Sequence, residues 1–348
     1  MYRTNSGEEV FVIDCHSHFW DASPANQLNK YGRGWIDCFY AYHKNLSPPE
    51  YVWPLEKYEK YTSVGMVHDQ FVKGYVDLAI LQPTYLIDFY KNGFNTIEQN
   101  SVMKKDYPDR YILNGAWDAR DGFRGLEYLR RQKGEWDIKG VKLYTAEWRG
   151  NSKGYKLSDP DAYSYFEECI KLGITNIHVH KGPTIYPLNR DAFDVADVDD
   201  AASIFTELNF IVEHAGLPRI EDFCWIATQE SNVYAGLAVV LPFIHSRPRY
   251  FAEVMANLMF WIGPDKILFG SDYAIWEPKW LVERLMAFEM PEDLKAEYGA
   301  GTEMTMDVKR KILGLNAARL YGIDPEAHMA KVKGDTFSQQ AEQLYAVH

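Results

Sequence analysis

The sequence has few cysteines, and nothing in their spacing suggests that they are paired. The four are Cys15, Cys38, Cys169 and Cys224. They form no C-x-x-C motif, so reduced thiols in a large intracellular protein explain them better than a disulfide framework or a zinc ribbon does. Cys15 is expected to be a small buried apolar residue whose side chain faces away from the histidines that follow it.

Clusters of basic residues and long apolar runs are also missing. The formal net charge is −12, which excludes a protein that binds nucleic acid through clustered Lys and Arg. No apolar run approaches about 18 residues, and no basic segment precedes an apolar one at the start. We therefore expect neither a membrane span nor a signal peptide. The predicted location is the cytoplasm, and neither nucleic acid nor membrane is expected as a partner.

The composition is that of a folded globule. The chain has 348 residues, of which 47% are hydrophobic and 15% are aromatic. It can therefore bury a large core, and no low-complexity tract interrupts it. We interpret residues 1–348 as a single domain, because barrels of strands and helices often exceed 250 residues.

Eight apolar runs alternate with helix-like stretches along the chain. Several are nearly continuous in apolar residues, as expected for parallel strands covered on both faces. The runs are 10–18, 76–82, 111–118, 138–145, 174–182, 209–216, 233–240 and 266–274. This order predicts an α/β protein with a (β/α)8 TIM barrel, and two doubly wound domains are the alternative.

Two segments lie outside this alternation. Residues 19–75 are long and rich in Trp, Tyr and Pro, which predicts an insertion after strand 1 that forms a lid over the barrel mouth or an interface. Residues 303–322 predict a closing helix. The polar tail, about 325–348, is interpreted as a C-terminal helical extension that wraps a partner or frays.

Polar side chains follow strand after strand, at the ends that converge on one mouth of a barrel. They are His16, His18, Gln82, Asp118, Lys142, His180, His214 and Asp272. Because alternate residues of a strand share a face, His16 and His18 in "VIDCHSHFWD" point the same way. The same holds for His178 and His180 in "HVHKG", of which His180 lies nearer the mouth.

This set of side chains predicts a metal site. Imidazole nitrogen and carboxylate oxygen are ligands that Zn, Fe and Mn accept. A single histidine at a strand end is more often a hydrogen-bonded core residue, and Asp272 alone could cap a helix. If these groups were only structural, however, each buried polar side chain at the mouth would need its own hydrogen-bond partner. Their occurrence together therefore favours metal ligation. The predicted ligands are His16, His18, Lys142, His178, His180, His214 and Asp272.

Lys142 in "GVKLY" has two interpretations. It forms a salt bridge or clamps an anionic substrate, or burial lowers its pKa and its neutral amine takes up carbon dioxide to form a carbamate. A carbamate could bridge two metals. One metal would then be held by His16, His18 and Asp272, and a second by His180 and His214.

The motifs "IDCHSHFWD", "HVHKG", "VEHAGLPR", "FGSDYA" and "KILGLNAARLYG" resemble the amidohydrolase superfamily over about residues 10–323. They are similar to the amidohydrolase-related branch that includes aminocarboxymuconate semialdehyde and resorcylate decarboxylases. Many of those relatives use one metal without the strand-four lysine. More narrowly, the chain resembles hydroxylase subunits of 2-aminoisobutyrate-type monooxygenases, which implies a dinuclear Fe or Mn centre and O₂.

Three functions are therefore considered. The first is hydroxylation of a small amino or carboxylic acid by O₂, with electrons from separate proteins, because the sequence has no flavin, nicotinamide or iron–sulfur motif. The second is non-oxidative decarboxylation or hydrolysis with Zn or Mn. The third is a non-catalytic subunit, against which the complete ligand set argues. The predicted catalytic residues are Asp272, His214 and His245, of which His245 could equally belong to a surface loop.

Further residues are predicted to contact a small-molecule substrate. They are Trp20, Glu147, Lys181, Arg219, Tyr273 and Trp276. Arg219 could hold a carboxylate through two parallel hydrogen bonds or form a salt bridge below the rim. No role in the site is assigned to His43, His68, His328 or His348. The aromatic surface and the resemblance imply an oligomer, either of identical chains or with a related subunit.

Overall fold

The computed structural model describes residues 1–346, so His348 lies outside the described residues. A short antiparallel hairpin, β1 (Tyr2–Arg3) and β2 (Glu9–Val10), precedes a sheet of eight parallel strands. These are β3 (Ile13–Ser17), β4 (Leu78–Leu81), β5 (Tyr111–Gly115), β6 (Gly140–Leu143), β7 (Asn176–His180), β8 (Asn209–Glu213), β9 (Val233–Gly236) and β10 (Ile267–Leu268).

Each strand pairs with its neighbour in sequence, from β3 to β10. The seam between the first and last strands closes through Cys15 N, which donates to Phe269 O at 3.1 Å, and through a parallel bridge between Ser17 and Tyr273. The predicted (β/α)8 barrel is thus confirmed, and every strand lies within its predicted segment. The strands are shorter than the apolar runs because those runs continue into the loops that follow.

Helices surround the barrel. They are α1 (Lys30–Leu46), α2 (Leu55–Glu59), α3 (Ser63–Val67), α4 (Ile97–Asp106), α5 (Gly122–Trp136), α6 (Pro160–Lys171), α7 (Asp197–Ile204), α8 (Ile220–Gln229), α9 (Phe243–Ser246), α10 (Pro248–Trp261), α11 (Pro278–Ala287), α12 (Glu292–Tyr298), α13 (Met306–Arg310), α14 (Asn316–Tyr321), α15 (Pro325–Val332) and α16 (Thr336–Ala346). There are also two π-helical segments. His68–Lys73 follows α3, and Lys311–Leu315 joins α13 to α14.

The insertion after β3 is helical and packs on the barrel. Helix α1 begins at the cap residue Asn29, whose side chain accepts from Tyr31 N at 2.9 Å. Its buried face carries Trp35 and Phe39, which contact the ring of Phe94 from the loop after β4. Such aromatic pairs add to the free energy gained from burial. The insertion is therefore part of the main core.

The C-terminal segment closes the lower end of the barrel. The hydroxyl of Tyr321 lies 2.8 Å from His178 Nε2 and accepts from Asn114 Nδ2 at 2.9 Å. Asn176 Nδ2 donates to Leu320 O at 3.0 Å. These contacts satisfy polar groups inside the barrel that would otherwise be costly to bury. The closing helix predicted over 303–322 corresponds to α13, the π-helical segment and α14.

The predicted C-terminal extension after about residue 325 is helical, as expected. Through Ala346 it forms α15 and α16, which pack on their own chain. Arg110 holds Asp335 with two hydrogen bonds of 2.8 Å, and the hydroxyl of Tyr345 donates to Lys73 O. Among residues 1–346, no helix has both the length and the apolar character needed to cross a bilayer.

Candidate metal centre

Closure of the barrel brings three predicted ligands together at its upper end. His16 Nε2 lies 3.5 Å from Asp272 Oδ1, and His18 Nε2 lies 3.2 Å from the same oxygen. One ligand atom from each of the three residues lies within 4.8 Å of the others, and all three side chains are buried. A single cation could therefore contact all three side chains.

Asp14 fixes this geometry from behind the strand. Its carboxylate accepts from Ser271 N at 2.9 Å, from Ser271 Oγ at 2.5 Å and from Ser17 Oγ at 3.1 Å. The strand has an irregular register between Asp14 and Ser17. The bonds to Ser271 tie β3 to the segment that carries Asp272, which stands in a left-handed conformation at φ 59°. Such backbone is uncommon for a residue with a side chain and occurs most often at functional sites.

A second pair of predicted ligands comes from the next part of the rim. His180 ends β7, and His214 follows β8 with a positive φ of 65°. His180 Nδ1 and His214 Nε2 lie 2.9 Å apart. The ring of His214 is also 5.5 Å from that of His16, measured between centroids, so both groups of ligands belong to one site.

Carbonyl groups determine which ring nitrogens face the pocket. His18 Nδ1 lies 2.6 Å from Gln82 O, and His214 Nδ1 lies 2.9 Å from Ala238 O. A carbonyl oxygen only accepts, so each Nδ1 must donate its hydrogen there. The remaining nitrogen, Nε2, then presents a lone pair to the pocket. Metal-binding histidines are oriented in this way in many proteins.

The same reasoning makes the His180–His214 pair unusual. His180 Nε2 lies 3.2 Å from Pro183 O. In the tautomer in which Nε2 donates to this oxygen, Nδ1 carries a lone pair that faces the lone pair of His214 Nε2. Two lone pairs at this distance repel unless a proton or another cation lies beside them. Burial lowers the pKa of both His180 and His214, which disfavours protonation. The pair therefore fits a bound metal ion.

Lys142 lies between the two groups of ligands. Its Nζ is 3.3 Å from His16 Nε2 and 3.9 Å from Glu213 Oε1, and the side chain is only 1% exposed. Burial lowers the pKa of this amine. A lowered pKa increases the fraction of neutral amine, which is the form that can become a carbamate.

Glu213 is a site residue that the sequence analysis missed. Its Oε2 lies 2.8 Å from His16 Nδ1, and its Oε1 lies 2.6 Å from His178 Nδ1. Burial by itself would raise the pKa of Glu213, but His16 and Lys142 hold it well below its usual value. The available signal was a single acidic residue inside the apolar strand "NFIVE", immediately before His214.

The ligands line an enclosed pocket of about 30 Å³. Its other walls are largely apolar and include residues of the insertion, so the lid interpretation describes this segment better than an interface alone. The lining residues that could meet a small molecule are Phe39, Tyr42, Thr84, Phe94, Tyr144, Pro183, Ile185, Val239, Ile275 and Trp276. Of the predicted substrate contacts, Trp276 thus lies at the pocket.

The other predicted substrate contacts lie elsewhere. Trp20 is buried behind the pocket, where its Nε1 donates to Tyr58 O at 2.9 Å. Tyr273 points to the opposite face and donates to Asp69 at 3.1 Å. The direction of Tyr273 is the one expected for the residue directly after the inward Asp272. Glu147 lines an adjoining cavity.

Two predicted cationic contacts form salt bridges instead. Arg219 Nη1 pairs with Asp194 and is about one-third exposed, so the salt bridge weighed for it is the interaction observed. Lys181 Nζ lies 2.7 Å from Asp197 Oδ1 and both are buried. Neither lines the metal pocket, because each carboxylate partner holds its cation away from the mouth.

Three further histidines lie outside the metal pocket. His178 lies one layer below the pocket, between Glu213 and Tyr321, and so does not join the other proposed ligands. His245 lies on α9 near Trp280, because the chain turns away from the rim after β9. His43 Nδ1 lies 2.6 Å from Ile275 O within the core.

The comparisons with known proteins agree with this architecture. Residues 13–323 match a family model described as amidohydrolase. No curated relative matches the chain. An uncharacterized TIM-barrel protein from Bordetella bronchiseptica has a TM-score of 0.66 at 16% identity, over 90% of this chain and 99% of the other.

Two other solved structures have a similar fold. A 5-carboxyvanillate decarboxylase from Sphingomonas paucimobilis has a TM-score of 0.56 at 14% identity, over 91% of this chain and all of the other. A zinc-bound amidohydrolase from Burkholderia multivorans has a TM-score of 0.59 at 13% identity, over 90% of this chain and all of the other. At these identities the likeness concerns the fold.

Proposed function

Because the chain belongs to the amidohydrolase family, we propose that it is a metal-dependent decarboxylase that removes CO₂ from a small carboxylic acid without O₂. The observation that carries this proposal is the enclosed pocket, in which His16, His18 and Asp272 converge under aromatic walls. Hydrolysis remains the related alternative. Decarboxylation is placed first because the solved structures of similar fold include decarboxylases, such as the 5-carboxyvanillate enzyme.

His16, His18 and Asp272 would hold one divalent metal ion, and His180 and His214 a second. A bound ion of this kind supplies positive charge that orients and polarises an anionic substrate. Zinc is the first expectation, supported by the zinc-bound amidohydrolase of similar fold, and manganese is the alternative. The unprotonated Nε2 atoms of His18 and His214 face the pocket, as metal binding requires.

The chain's own residues account for the rest of the reaction. Decarboxylation breaks the bond between the carboxylate and its carbon, and a proton must then reach that carbon. The proton comes from solvent, and Asp272 is the carboxylate in the pocket placed to relay it. Burial alone would raise its pKa, but His16 and His18 hold the pKa of Asp272 below its usual value. Phe39, Phe94 and Trp276 would keep bulk water from the reacting carbon.

The test combines metal analysis with product detection. Freshly purified protein is analysed for Zn, Mn and Fe, and is then incubated with a panel of hydroxylated aromatic acids and short amino acids. We expect divalent metal, and CO₂ release that persists under nitrogen and stops after treatment with a chelator. Metal-free protein that still releases CO₂ would refute the proposal, as would metal-loaded protein that consumes O₂ and releases no CO₂ anaerobically.

The second candidate is the O₂-dependent hydroxylase subunit that the closer resemblance implied. Its support is the donor set of histidines, Asp272 and a lysine able to form a carbamate, which suits Fe or Mn. This function would require separate electron-transfer proteins and a related partner subunit. Iron in the purified protein together with reductant-dependent O₂ uptake would favour it over decarboxylation.

A further inference from the structure

A second cavity, of about 50 Å³, adjoins the metal pocket. The two share Thr84, Lys142 and Tyr144 as wall residues, so a molecule bound to the metal could reach both. We propose that this cavity binds a protonated primary amine through the carboxylate of Glu147. That the amine belongs to the substrate rests on the proposed function, whereas the binding itself does not.

One oxygen of the buried Glu147 carboxylate lacks a hydrogen-bond partner, although the backbone of Ile87 donates to the carboxylate. Its side chain is 8% exposed, and Oε1 has no hydrogen-bond partner among the described residues. The nearest guanidinium atom, Arg149 Nε, is 3.9 Å away, which is too far for a hydrogen bond. Burial raises the pKa of Glu147 to about 7. An ammonium group in the cavity would supply the missing donor and favour the ionised form.

The charges around the cavity favour a cation over an anion. Asp118 is held by Arg120 through bonds of 2.8 and 2.5 Å. Arg149 is shared, because its nitrogens lie 3.4 Å from Asp118, 3.7 Å from Asp121 and 3.9 Å from Glu147. When Glu147 is ionised, three carboxylates face two guanidinium groups, which leaves one negative charge. Arg120 is held by Asp118, and an anion would have to compete with three carboxylates for Arg149.

Lys142 does not offset this balance. Its Nζ is directed at His16 and Glu213, at 3.3 and 3.9 Å, and Glu213 supplies a compensating negative charge. The Lys142 amine therefore interacts mainly with the metal pocket. The surplus negative charge beside Glu147 remains available to a ligand.

The shape of the cavity limits the size of the amine. Tyr85, Trp117, Tyr128 and Tyr144 contribute its aromatic walls, and the faces of such rings attract cations. The hydroxyl of Tyr144 also has no partner among the described residues, so it can accept a second N–H of the ligand. A volume of about 50 Å³ has room for a few water molecules only. The site therefore fits a primary ammonium on one or two carbons and excludes a quaternary one.

Thermal shift and calorimetric titration with small probes test the proposal. The probes are ethylammonium, ethanol, propionate and tetramethylammonium, each at matched ionic strength. Ethylammonium should raise the Tm of the wild-type protein saturably and bind no tighter than on the order of 1 mM, given its three heavy atoms. Ethanol, propionate and tetramethylammonium should have no such effect. In Glu147→Gln, ethylammonium affinity should fall at least tenfold.

Glu127→Gln, which changes an exposed carboxylate of α5, is the matched control and should bind ethylammonium like the wild type. Unchanged affinity in Glu147→Gln would overturn the proposal, as would stabilisation by propionate or equal stabilisation by ethanol. Should Glu147→Gln fail to fold, the four probes on the wild-type protein decide alone.

The binding experiment also separates this proposal from the proposed function. The titration is repeated with and without a chelator, and metal content is measured in the same samples. Amine binding and metal binding are thereby measured independently. Ethylammonium binding that survives metal removal supports the amine site whatever the reaction is. Loss of ethylammonium binding in metal-loaded, CO₂-releasing protein would refute the amine site and leave the decarboxylase proposal intact.

Discussion

Glu213 supports His16 from below the metal pocket, with Oε2 at 2.8 Å from Nδ1 of the ring. Its other oxygen lies 2.6 Å from His178 Nδ1, and His178 in turn contacts Tyr321. The orientation of His16 therefore depends on a buried series of contacts that ends in the floor of the barrel. The angle of this contact is poor for a hydrogen bond, so Glu213 acts on the ring mainly through its charge, which favours a hydrogen on Nδ1 and leaves Nε2 free for a metal.

Replacing Glu213 with Gln should weaken metal binding without removing any ligand. The amide keeps the size of the side chain but loses the charge that orients His16, and changes of this kind typically cost about 10- to 100-fold in metal affinity. Competition with a fluorescent chelator measures the affinity. Glu207→Gln, which changes an exposed carboxylate just before the same strand, should leave affinity unchanged. Equal affinity in Glu213→Gln and Glu207→Gln would show that Glu213 does not orient His16.

Replacing His16 or His214 with Ala should strip metal and activity while leaving a folded barrel. Each change removes one Nε2 lone pair from the pocket, whereas the strands that carry them keep their pairing. Elemental analysis gives the metal content and circular dichroism the fold. His68→Ala, at an exposed histidine in the π-helical segment after α3, is the control and should keep its metal. Wild-type metal content in either test variant would remove that residue from the ligand set.

Lys142→Ala should lower the metal count from two towards one. The lysine contacts His16 and lines the same pocket as His180 and His214, so a carbamate formed on it would be able to bridge two ions there. Added bicarbonate should raise the metal content of the wild-type protein and have no effect on the variant. An unchanged count of two in Lys142→Ala would show that no carbamate bridge is needed.

Stability should depend on pH through Glu147. Burial raises the pKa of this group from 4.5 to about 7 in the folded protein. As pH rises, Glu147 therefore ionises in the unfolded chain before it ionises in the folded protein, which favours unfolding. The contribution of Glu147 to stability therefore falls as pH rises from 4.5 to 7. Glu147→Gln should match the wild type near pH 4 and be more stable by up to about 3 kcal/mol at pH 8. Urea unfolding at both pH values checks this, and a difference independent of pH would contradict it.

The sequence predicted the barrel and most of the pocket because both follow from simple periodicities. Alternation in β3 placed His16 and His18 on one face, and the strand ends placed His180, His214 and Asp272 at one mouth. The structure brings these five together. Whether they bind metal, and how many ions, stays a prediction.

Where the sequence failed, the position depended on tertiary contacts. Glu213 was missed because a charged residue one place before His214 has no motif of its own, and its role comes from His16 on a strand nearly 200 residues away. Tyr273 and Arg219 were assigned by closeness in sequence to site residues. Tyr273 instead points to the opposite face from Asp272 and bonds to Asp69, and Arg219 pairs with Asp194.

The position of Tyr321 has a consequence for biosynthesis. Its hydroxyl reaches His178 and Asn114 only after all eight strands have been made, since it follows the last of them by some fifty residues. A nascent chain that is still in the ribosome at β10 has the metal-facing histidines but lacks the floor beneath them. If the pocket binds metal as proposed, loading should therefore follow synthesis of the segment that carries Tyr321.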